Sequence, residues 1–545
     1  MIRRNPADIL TRWTACALLG VAMVASARPS IAVDGARDGA GGPRVTYYGL
    51  HLRFDPVAQT VGGRVSVALA RNQPGAFPLT LDLDSSMVVD SVVADGRRVT
   101  VTRGATTLAV MMPSGGHPTA VADVYYHGTP TGDALLFARH GSAPVISSYG
   151  LPYSSRAWWP SIDAPSTKAD SADIEITAPS SLTAASNGRF VVRHENGDGT
   201  ATTRWSVRYP IYPDVIAVAI SNYRTIQLAY RDGGGDSLPM PFFVFPEDSA
   251  KAQDDFGVLP AMLAHHVARF GPYPFMREKY GVVEMAKQSY REHQTLPGYG
   301  ARFITGDHVN DRILAHELAH QWFGDALTVR SWSHVWLNEG FATYAAFLWR
   351  ESTRGPAEYR ATVQALMTPE VYDGVVFVAD TTDVDHMFTR VTFQKGALVL
   401  HMLRHVMGDS AFFGAVRQYV ADNLYRTVVT DDFQRAAEQR YGRSLDWFFR
   451  EWIYHGGAPA YDVRSLHTGR ATRGYRVDFE IRQTQDSGVF RMPLDVSLDA
   501  AHGPTRLVVW DSLRVQHVSV SAPDSVTAVT IDPESWVVKA APGGP

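Results

Sequence analysis

The sequence predicts a multidomain α+β protein in which two β-rich regions flank a mainly helical one. With 545 residues, the chain is longer than one ordinary domain. Short runs of alternating apolar and polar residues occupy 45–236, long segments with helical periodicity follow over 237–455, and alternation returns over 456–545. Hydrophobic residues make up 45% of the chain and charged residues 19%, which is typical of a folded globular protein.

The charge of the chain argues against a nucleic-acid partner. The formal net charge of -4 is mild, and the sequence contains no basic block or cationic stripe. The sequence leaves the oligomeric state open.

The first 27 residues have the pattern of a secretory signal peptide. Basic residues precede a short apolar run over 13–25, and Ala25-Ser26-Ala27 supplies a small-x-small cleavage site. The alternative is an uncleaved anchor, which the short run disfavours, so no stable membrane anchor is expected. Export predicts a periplasmic or extracellular protein without disulfides, because Cys16 lies inside the signal. The Gly-rich segment 28–44 is predicted to be a flexible leader.

Strand patterns define the predicted N-terminal β domain over 45–236. Arg64–Ala70 and Leu79–Leu83 alternate apolar and polar residues, and Arg98–Thr102 does so after the turn Asp95-Gly96.

Apolar residues at helical spacing define the predicted helical domain over 237–455. The segments with this spacing are about 249–270, 311–324, 334–350, 393–407, 410–425, 430–441 and 444–455. Asp311 is the predicted N-cap of one helix and Gly324 the predicted C-cap residue. That prediction places His316, Glu317 and His320 in the middle of the helix.

The last predicted domain, 456–545, is a small β-sandwich. Its strand patterns are the alternation of apolar residues over 475–481 and the runs Thr505–Trp510 and Ser525–Ile531.

His316-Glu-Leu-Ala-His320, followed by Glu339, is a metal-site pattern. Two His four residues apart lie on one face of a helix and can bind one ion. A catalytic zinc site uses three protein ligands and keeps a fourth position for water, so Glu339 is the predicted third ligand for one Zn²⁺. Glu317 is then free to act as general base.

The alternative for this segment is an ordinary amphipathic core helix. Ile313, Leu314, Leu318 and Trp322 form an apolar stripe that suits such a helix. A helix that carries metal ligands must also pack, however, so the stripe does not exclude zinc.

Longer segments around this motif resemble the aminopeptidase N family of zinc metallopeptidases, the gluzincin aminopeptidases. The main matches are Ala315–Gly324 and Trp336–Tyr344, and Arg156–Pro165 resembles the family's Arg-x-Trp-Phe-Pro-x-x-Asp-x-Pro segment. Lys395–Leu400 and Ile531–Trp536 are also similar to family segments. The resemblance covers nearly the whole chain after the signal.

The resemblance implies a particular domain order. The family has an N-terminal β saddle domain, a thermolysin-like mainly helical zinc domain and an Ig-like β-sandwich. Many members add a large C-terminal helical domain, and the end of this sequence at Pro545 predicts a short form without it.

The resemblance also assigns substrate-binding positions. Glu292, in Gln288–Thr295, matches the family carboxylate that holds the free N-terminal ammonium group of a peptide. Gln288, Ser289, Tyr290 and Arg291 replace the family's residues ahead of it. Tyr149 stands where the family has a glutamine.

Phe393 is a further departure, because the family has there a tyrosine whose hydroxyl stabilises the oxyanion. Loss of such a donor predicts reduced or altered activity.

The predicted function is removal of N-terminal residues from peptides. Zinc lowers the pKa of a water molecule, Glu317 takes its proton and passes it to the leaving amine, and Glu292 selects the free N-terminus. Two alternatives stay open: a catalytically impaired zinc-containing binding or scaffold protein, and a zinc endopeptidase.

Overall fold

The structure, a computed structural model, describes residues 44–72, 74–150 and 152–541. The predicted signal peptide over 1–27 and almost all of the predicted leader lie outside the described residues. The described chain forms two compact units. The N-terminal unit runs to Trp332 and includes Val420–Val429, and the C-terminal unit comprises Ser333–Tyr419 and the chain from Thr430 onwards. The predicted domain boundaries after 236 and 455 stay predictions.

Strands dominate the first half of the N-terminal unit. In chain order they are β1 (Val45–Asp55), β2 (Thr60–Ala70), β3 (Phe77–Asp82), β4 (Met87–Ala94), β5 (Arg97–Val99), β6 (Val101–Arg103), β7 (Thr107–Met112), β8 (Thr119–Gly128), β9 (Leu135–His140), β10 (Ala143–Ser148), β11 (Ser171–Pro179), β12 (Thr183–Ser186), β13 (Arg189–Glu195), β14 (Thr200–Val207) and β15 (Val218–Ser221). The strand patterns predicted over 45–236 are therefore confirmed as β structure.

These strands form three sheets in the described chain. The largest has the order β13-β14-β11-β1-β2-β8-β4-β5, and the others have the orders β12-β15-β10-β9 and β3-β7-β6. In β1, alternate side chains enter the core, so Leu50, Leu52 and Phe54 are buried while Arg53 is exposed. Period-two burial of this kind fixes the register of the central strands.

A five-stranded sheet carries the substrate-binding loop predicted around Glu292. Its strands are β16 (Arg224–Arg231), β17 (Ser237–Val244), β18 (Val282–Met285), β19 (Tyr290–Arg291) and β20 (Gly298–Gly300), in the order β16-β17-β18-β20-β19. Glu292 directly follows β19. The sheet thus holds this loop at one of its edges.

Helices follow this sheet. They are α1 (Ser249–Phe256), α2 (Leu259–Phe270), α3 (Asp311–Ala319), α4 (Trp336–Arg354), α5 (Pro356–Leu366), α6 (Pro369–Tyr372), α7 (Val384–Met387), α8 (Gly396–Met407), α9 (Asp409–Asn423), α10 (Thr430–Tyr441) and α11 (Asp446–Ile453). A short parallel pair joins β21 (Thr328–Val329) to β22 (Thr427–Val428). Most of the predicted helical segments are confirmed, whereas α5, α6 and α7 were not predicted.

The ends of α3 differ from the prediction. Its N-cap is Asn310, with Asp311 as the first helical residue, and its C-cap is His320. The motif therefore occupies the last turn of the helix instead of its middle. The backbone of His320 keeps helical angles, and its N–H still bonds the His316 carbonyl oxygen at 3.3 Å. The one-turn spacing of the two imidazoles survives for that reason.

Two three-stranded sheets end the C-terminal unit. Their strands are β23 (Tyr461–Arg470), β24 (Tyr475–Gln483), β25 (Met492–Ala500), β26 (Thr505–Asp511), β27 (Val515–Ala522) and β28 (Val526–Ile531), ordered β23-β24-β27 and β26-β25-β28. Alternate residues of β24 and β25 are buried, among them Phe479, Ile481, Leu494 and Val496. The strands predicted near 475, 505 and 525 are confirmed.

None of the helices that the structure describes combines the length and the apolar character needed to cross a bilayer.

Candidate active site

His316 and His320 project from the end of α3 with their Nε2 atoms 3.0 Å apart. Two nitrogens that bind one zinc ion at about 2.0–2.1 Å in a tetrahedral arrangement lie about 3.3 Å from each other. The observed separation fits that requirement. The predicted pairing of the two imidazoles is therefore present within the N-terminal unit.

The ring of His320 is held in the form that a metal ligand needs. Its Nδ1 lies 3.0 Å from the carbonyl oxygen of Phe323, which can only accept, so Nδ1 carries the proton. Nε2 is then the ring nitrogen that would bind a metal ion. A backbone carbonyl on the second ring nitrogen is the usual way in which proteins orient such a ligand. Burial lowers the pKa of His316 to about 4 and keeps that imidazole neutral.

Buried polar contacts support α3 from below. The Nε2 atom of His266 in α2 is 2.9 Å from the carbonyl oxygen of Ala315. Ala315 directly precedes His316, the first predicted zinc ligand. Gln321 accepts a hydrogen bond from the Thr295 N–H at 2.8 Å and donates one to Asp325 at 2.8 Å. Gln321 therefore couples the end of the motif helix to the loop that contains Glu292.

Glu292, Glu317 and His320 converge on one spot. One carboxylate oxygen from each glutamate and one ring nitrogen of His320 lie within 4.8 Å of one another. Burial raises the pKa of Glu292, but the positive potentials of His320 and Arg291 and a backbone hydrogen bond bring it below its usual value. Glu292 is therefore an anion at neutral pH, as a binding group for an ammonium ion must be.

Thr295 fixes the far end of this loop in a strained conformation. Its φ of 60° is unusual for a β-branched residue. Its hydroxyl accepts a hydrogen bond from the Gly188 N–H at 2.8 Å and lies 3.3 Å from the Lys279 ammonium group. Together with the Gln321 contact, these bonds hold the strained residue in place.

Tyr149 is buried between two cations. The Lys287 ammonium lies 3.7 Å and the Arg291 guanidinium carbon 3.6 Å from its ring centroid. Its hydroxyl donates to the Ser289 hydroxyl at 2.8 Å. Arg291 and Ser289 belong to the segment 288–291, in which replacements of the family's residues are predicted, and both contact Tyr149.

A small cleft opens beside Glu292. Its lining residues are Gly150, Pro152, Tyr212, Asp214, Val215, Glu292, His293 and Trp332. Tyr149 itself does not line it, although the next residue does. A Cβ on Gly150 would lie 2.1 Å from the Asp214 carbonyl oxygen, so only glycine fits there. Glu292 thus faces a cleft with mixed polar and aromatic walls.

The predicted third ligand, Glu339, lies in the C-terminal unit. It occupies the first turn of α4 and is only 3% exposed. Its neighbour Gly340 packs directly on Gly396 of α8, where a Cβ would lie 2.9 Å from the Gly396 carbonyl carbon. The two glycines let the helix backbones touch one residue away from the carboxylate.

Phe393 lies in the same unit, within a π-helical turn over Val391–Lys395 that leads into α8. Its ring packs 6.2 Å from that of Phe388. Single π-turns inside helices often occur at functional sites. A phenyl group has no hydrogen-bond donor.

Sequence reasoning missed several groups of this site. The sequence assigns no role to His293, Lys279 or His266, and it names Arg291 only as a replaced position. The Glu-His-Gln-Thr segment itself was the available signal, because three of its four residues make specific contacts with distant parts of the unit.

Comparison with known proteins identifies related chains. Residues 290–452 match the peptidase family M1 domain. Aminopeptidase M1-A of Oryza sativa subsp. japonica is 26% identical over 360 residues, which cover 61% of this chain and 38% of the rice protein. The chain spans about a quarter to a half of the length of the curated relatives that it matches.

Solved structures agree with this match. An aminopeptidase A from Legionella pneumophila has the same fold, with a TM-score of 0.79 and 18% identity over 92% of this chain and 59% of that one. A mutant M1 zinc metallopeptidase from Deinococcus radiodurans, bound to a Tyr-Ser-Ala substrate, has a TM-score of 0.64 and 26% identity over 76% of this chain and 94% of that one. These matches indicate one catalytic zinc ion as the cofactor. Together these matches support the aminopeptidase N family of zinc metallopeptidases.

Proposed function

We propose that the protein is a zinc aminopeptidase that removes N-terminal residues from peptides. The observation that carries this proposal is the convergence of Glu292, Glu317 and His320, with ligand atoms within 4.8 Å of one another. One carboxylate suits an ammonium group and the other a proton transfer. The Tyr-Ser-Ala peptide bound by the Deinococcus relative is a substrate of the same class.

The proposed zinc ligands are His316, His320 and Glu339. Two neutral imidazoles and a carboxylate are a usual donor set for catalytic zinc. When bound there, zinc would lower the pKa of a water molecule towards neutrality and polarise the peptide carbonyl.

The protein's own groups would do the rest. Glu292 binds the free α-ammonium group and so brings only the first peptide bond to the reaction centre. Glu317 takes a proton from the attacking water and passes it to the nitrogen of the leaving peptide. Both carboxylates lie in the N-terminal unit, Glu292 directly after β19 and Glu317 in α3. Hydrogen bonds of Gln321 and His320 hold the neighbouring backbone in place.

Activity below that of a family member with the tyrosine is part of the proposal. Phe393 supplies no oxyanion donor, and the cost of losing one is on the order of 10² to 10³ in turnover in other enzymes. Because of this loss, an impaired zinc-containing scaffold protein is the second candidate.

The test compares a dipeptide amide with its N-acetylated form on zinc-loaded protein. Cleavage of the free form alone is expected. Cleavage of both forms would instead indicate an endopeptidase, and cleavage of neither would indicate the scaffold. Glu317→Gln should lower turnover by about 10² to 10⁴ while zinc content is unchanged, since it removes the base and no ligand. Glu195→Gln, the same change at an exposed position in β13, serves as the matched control and should leave turnover unchanged.

Export and domain organisation complete the proposal. The signal pattern over 1–27 supports an exported, periplasmic or extracellular protein, and sequencing the N-terminus of the secreted form tests it. A start at residue 28 is expected. The N-terminal sheets are proposed to form the family's saddle, the middle region its thermolysin-like domain, and the last six strands its Ig-like sandwich.

A further inference from the structure

Thr295 occupies a turn position that usually belongs to glycine or asparagine. The Leu296 N–H donates to the His293 carbonyl oxygen at 3.1 Å, so the chain turns over these four residues, and Thr295 is the third of them with a φ of 60°. Glycine and asparagine are favoured at positive φ, where a β-branched side chain is strained. Such strain persists only where the surrounding contacts impose it, and it is concentrated at functional sites. The turn begins directly after Glu292.

Each polar group of Thr295 has a partner elsewhere in the N-terminal unit. Its hydroxyl oxygen accepts from the Gly188 N–H at 2.8 Å and lies 3.3 Å from Nζ of Lys279. Its carbonyl oxygen accepts from the Gly281 N–H at 2.9 Å, and its N–H donates to Gln321 at 2.8 Å. The residue is fully buried. These contacts are what impose the strained conformation.

Lys279 is the charged side chain among these partners. Its Nζ atom also donates to the Ser186 carbonyl oxygen at 2.8 Å and lies 5.1 Å from the centroid of the Trp205 ring. Lys279 is only 3% exposed, so protein groups and not solvent fix the position of Nζ. Lys279 can therefore hold the Thr295 hydroxyl at a defined place.

A short path of residues joins Glu292 to the zinc motif through Thr295. Glu292 lies three residues before Thr295, and Gln321 directly follows His320. A carboxylate oxygen of Glu292 lies within 4.8 Å of a ring nitrogen of His320. The hydrogen bond between Thr295 and Gln321 closes a ring that contains both functional groups.

We propose that Thr295 is a positioning residue that sets the distance between Glu292 and the proposed zinc ligand His320, and that Lys279 holds its hydroxyl in place. This proposal rests on the proposed aminopeptidase function. One carbon atom separates the amino group from the carbonyl carbon in an α-amino acid residue, and two do so in a β-amino acid residue. A fixed distance between the two groups accepts the first and misplaces the carbonyl of the second. The protein therefore discriminates against β-aminoacyl substrates.

Hydrolysis of two p-nitroanilides by Thr295 variants tests this role. The ratio of kcat/KM for the L-alanyl and β-alanyl compounds should fall at least about fivefold in Thr295→Val, which loses the hydroxyl, and stay within about twofold in Thr295→Ser, which keeps it. Thr177→Val is the matched control, since it removes a hydroxyl contact of 2.8 Å to Thr202 within the largest sheet. Its ratio should not change. Lower activity of Thr295→Val at an unchanged ratio would reveal a merely structural role and overturn the proposal.

The part played by Lys279 is tested with a double variant. Lys279→Met should lower the same ratio about as much as Thr295→Val, and the double variant should lower it no further, because both changes remove one contact. Falls that multiply in the double variant would show that Lys279 does not act through Thr295. Circular dichroism checks that each variant folds.

Binding of amino acids that cannot be hydrolysed tests the distance without catalysis. Calorimetry on the zinc-loaded protein should give a Kd for L-phenylalanine at least about fivefold lower than for β-homophenylalanine, and a difference below about twofold in Thr295→Val. Equal affinities in the wild type would overturn the proposal. If the preference is present and depends on the hydroxyl but no aminoacyl substrate is cleaved, the proposed function fails and the positioning role stands.

Discussion

At the scale of single residues, the site depends on two carboxylates that sit close together and must behave differently. Glu292 and Glu317 contribute oxygens to one cluster no wider than 4.8 Å, where like charges repel. Arg291 and His320 offset the charge of Glu292 and hold its pKa below the usual value. A substrate ammonium group would add a further positive charge at this point. Substrate binding should therefore relieve the repulsion between the two glutamates.

Phe393→Tyr is expected to raise turnover by about tenfold or more. A hydroxyl at this position would donate a hydrogen bond to the developing oxyanion. In other enzymes, removing one such donor lowered turnover by about 10² to 10³. Steady-state kinetics with an aminoacyl p-nitroanilide measures the gain. Phe388→Tyr, on the neighbouring ring, is the matched control and should give none. An unchanged turnover in Phe393→Tyr, with zinc content preserved, would mean that the missing hydroxyl is not limiting.

The sequence predicts contacts between residues that are close in the chain better than contacts between distant residues. The spacing of His316 and His320 is local, so one helical turn predicts their pairing. His293 accepts a hydrogen bond from the N–H of Gly150, which lies 143 residues earlier in the chain. Thr295 likewise accepts one from the N–H of Gly188, 107 residues earlier. No periodicity reports contacts across such separations.

At the scale of elements, a crossing of two helices positions the neighbourhood of Glu339. Gly340 of α4 and Gly396 of α8 touch through their backbones. A Cβ on Gly340 would lie 2.9 Å from the Gly396 carbonyl carbon. Neither glycine is needed for an unusual φ, because both lie in helices. Their role is steric, and it allows an approach that any side chain would prevent.

Gly340→Ala is expected to destabilise the protein by about 1–3 kcal/mol, since the added methyl would lie 2.9 Å from backbone atoms that cannot move alone. Gly414→Ala in α9 is the matched control. Its Cβ would meet the Arg440 side chain at an ordinary 3.7 Å, so the gain in helix propensity should stabilise by about 0.5–1 kcal/mol. Urea unfolding monitored by circular dichroism measures both. A neutral Gly340→Ala would show that the helices can separate at little cost.

Long elements followed the sequence pattern more closely than short ones did. The segments around α2, α4 and α8 contain apolar residues at helical spacing over several turns. A pattern repeated over that length distinguishes a helix from a chance arrangement of residues. The four-residue helices α6 and α7 and the two-residue strand β19 span only about one period each, too little for a pattern to repeat. The early end of α3 coincides with a local contact, in which Nδ1 of the C-cap residue His320 lies 3.0 Å from the Phe323 carbonyl oxygen.

At the scale of the whole molecule, stability rests on the burial of a core that is mainly apolar. The predicted mature chain contains no cysteine, since Cys16 lies in the signal segment. Histidines buried in both units make up part of this core. Burial lowers the pKa of His293 to about 4 in the N-terminal unit and that of His401 to about 3 in the C-terminal unit. His401 accepts from the Tyr359 hydroxyl at 2.6 Å and donates to the Ser535 carbonyl oxygen at 2.9 Å.

The contribution of His401 to stability should therefore fall as the pH drops below 6.5, the usual pKa of histidine. In that range the unfolded chain binds protons that the folded chain does not, so unfolding is favoured as the pH decreases. For His401 the loss is about 2 kcal/mol between pH 6.5 and about pH 4.5, because the slope approaches 1.36 kcal/mol per pH unit only below the usual pKa. Urea titrations at several pH values in this range measure the free energy of unfolding. Between the two ends of the range, that energy should decrease less in His401→Gln than in the wild type, by about this amount. His117→Gln, at an exposed position, should retain the wild-type dependence. Identical pH profiles for His401→Gln and the wild type would show that His401 does not contribute to the acid sensitivity.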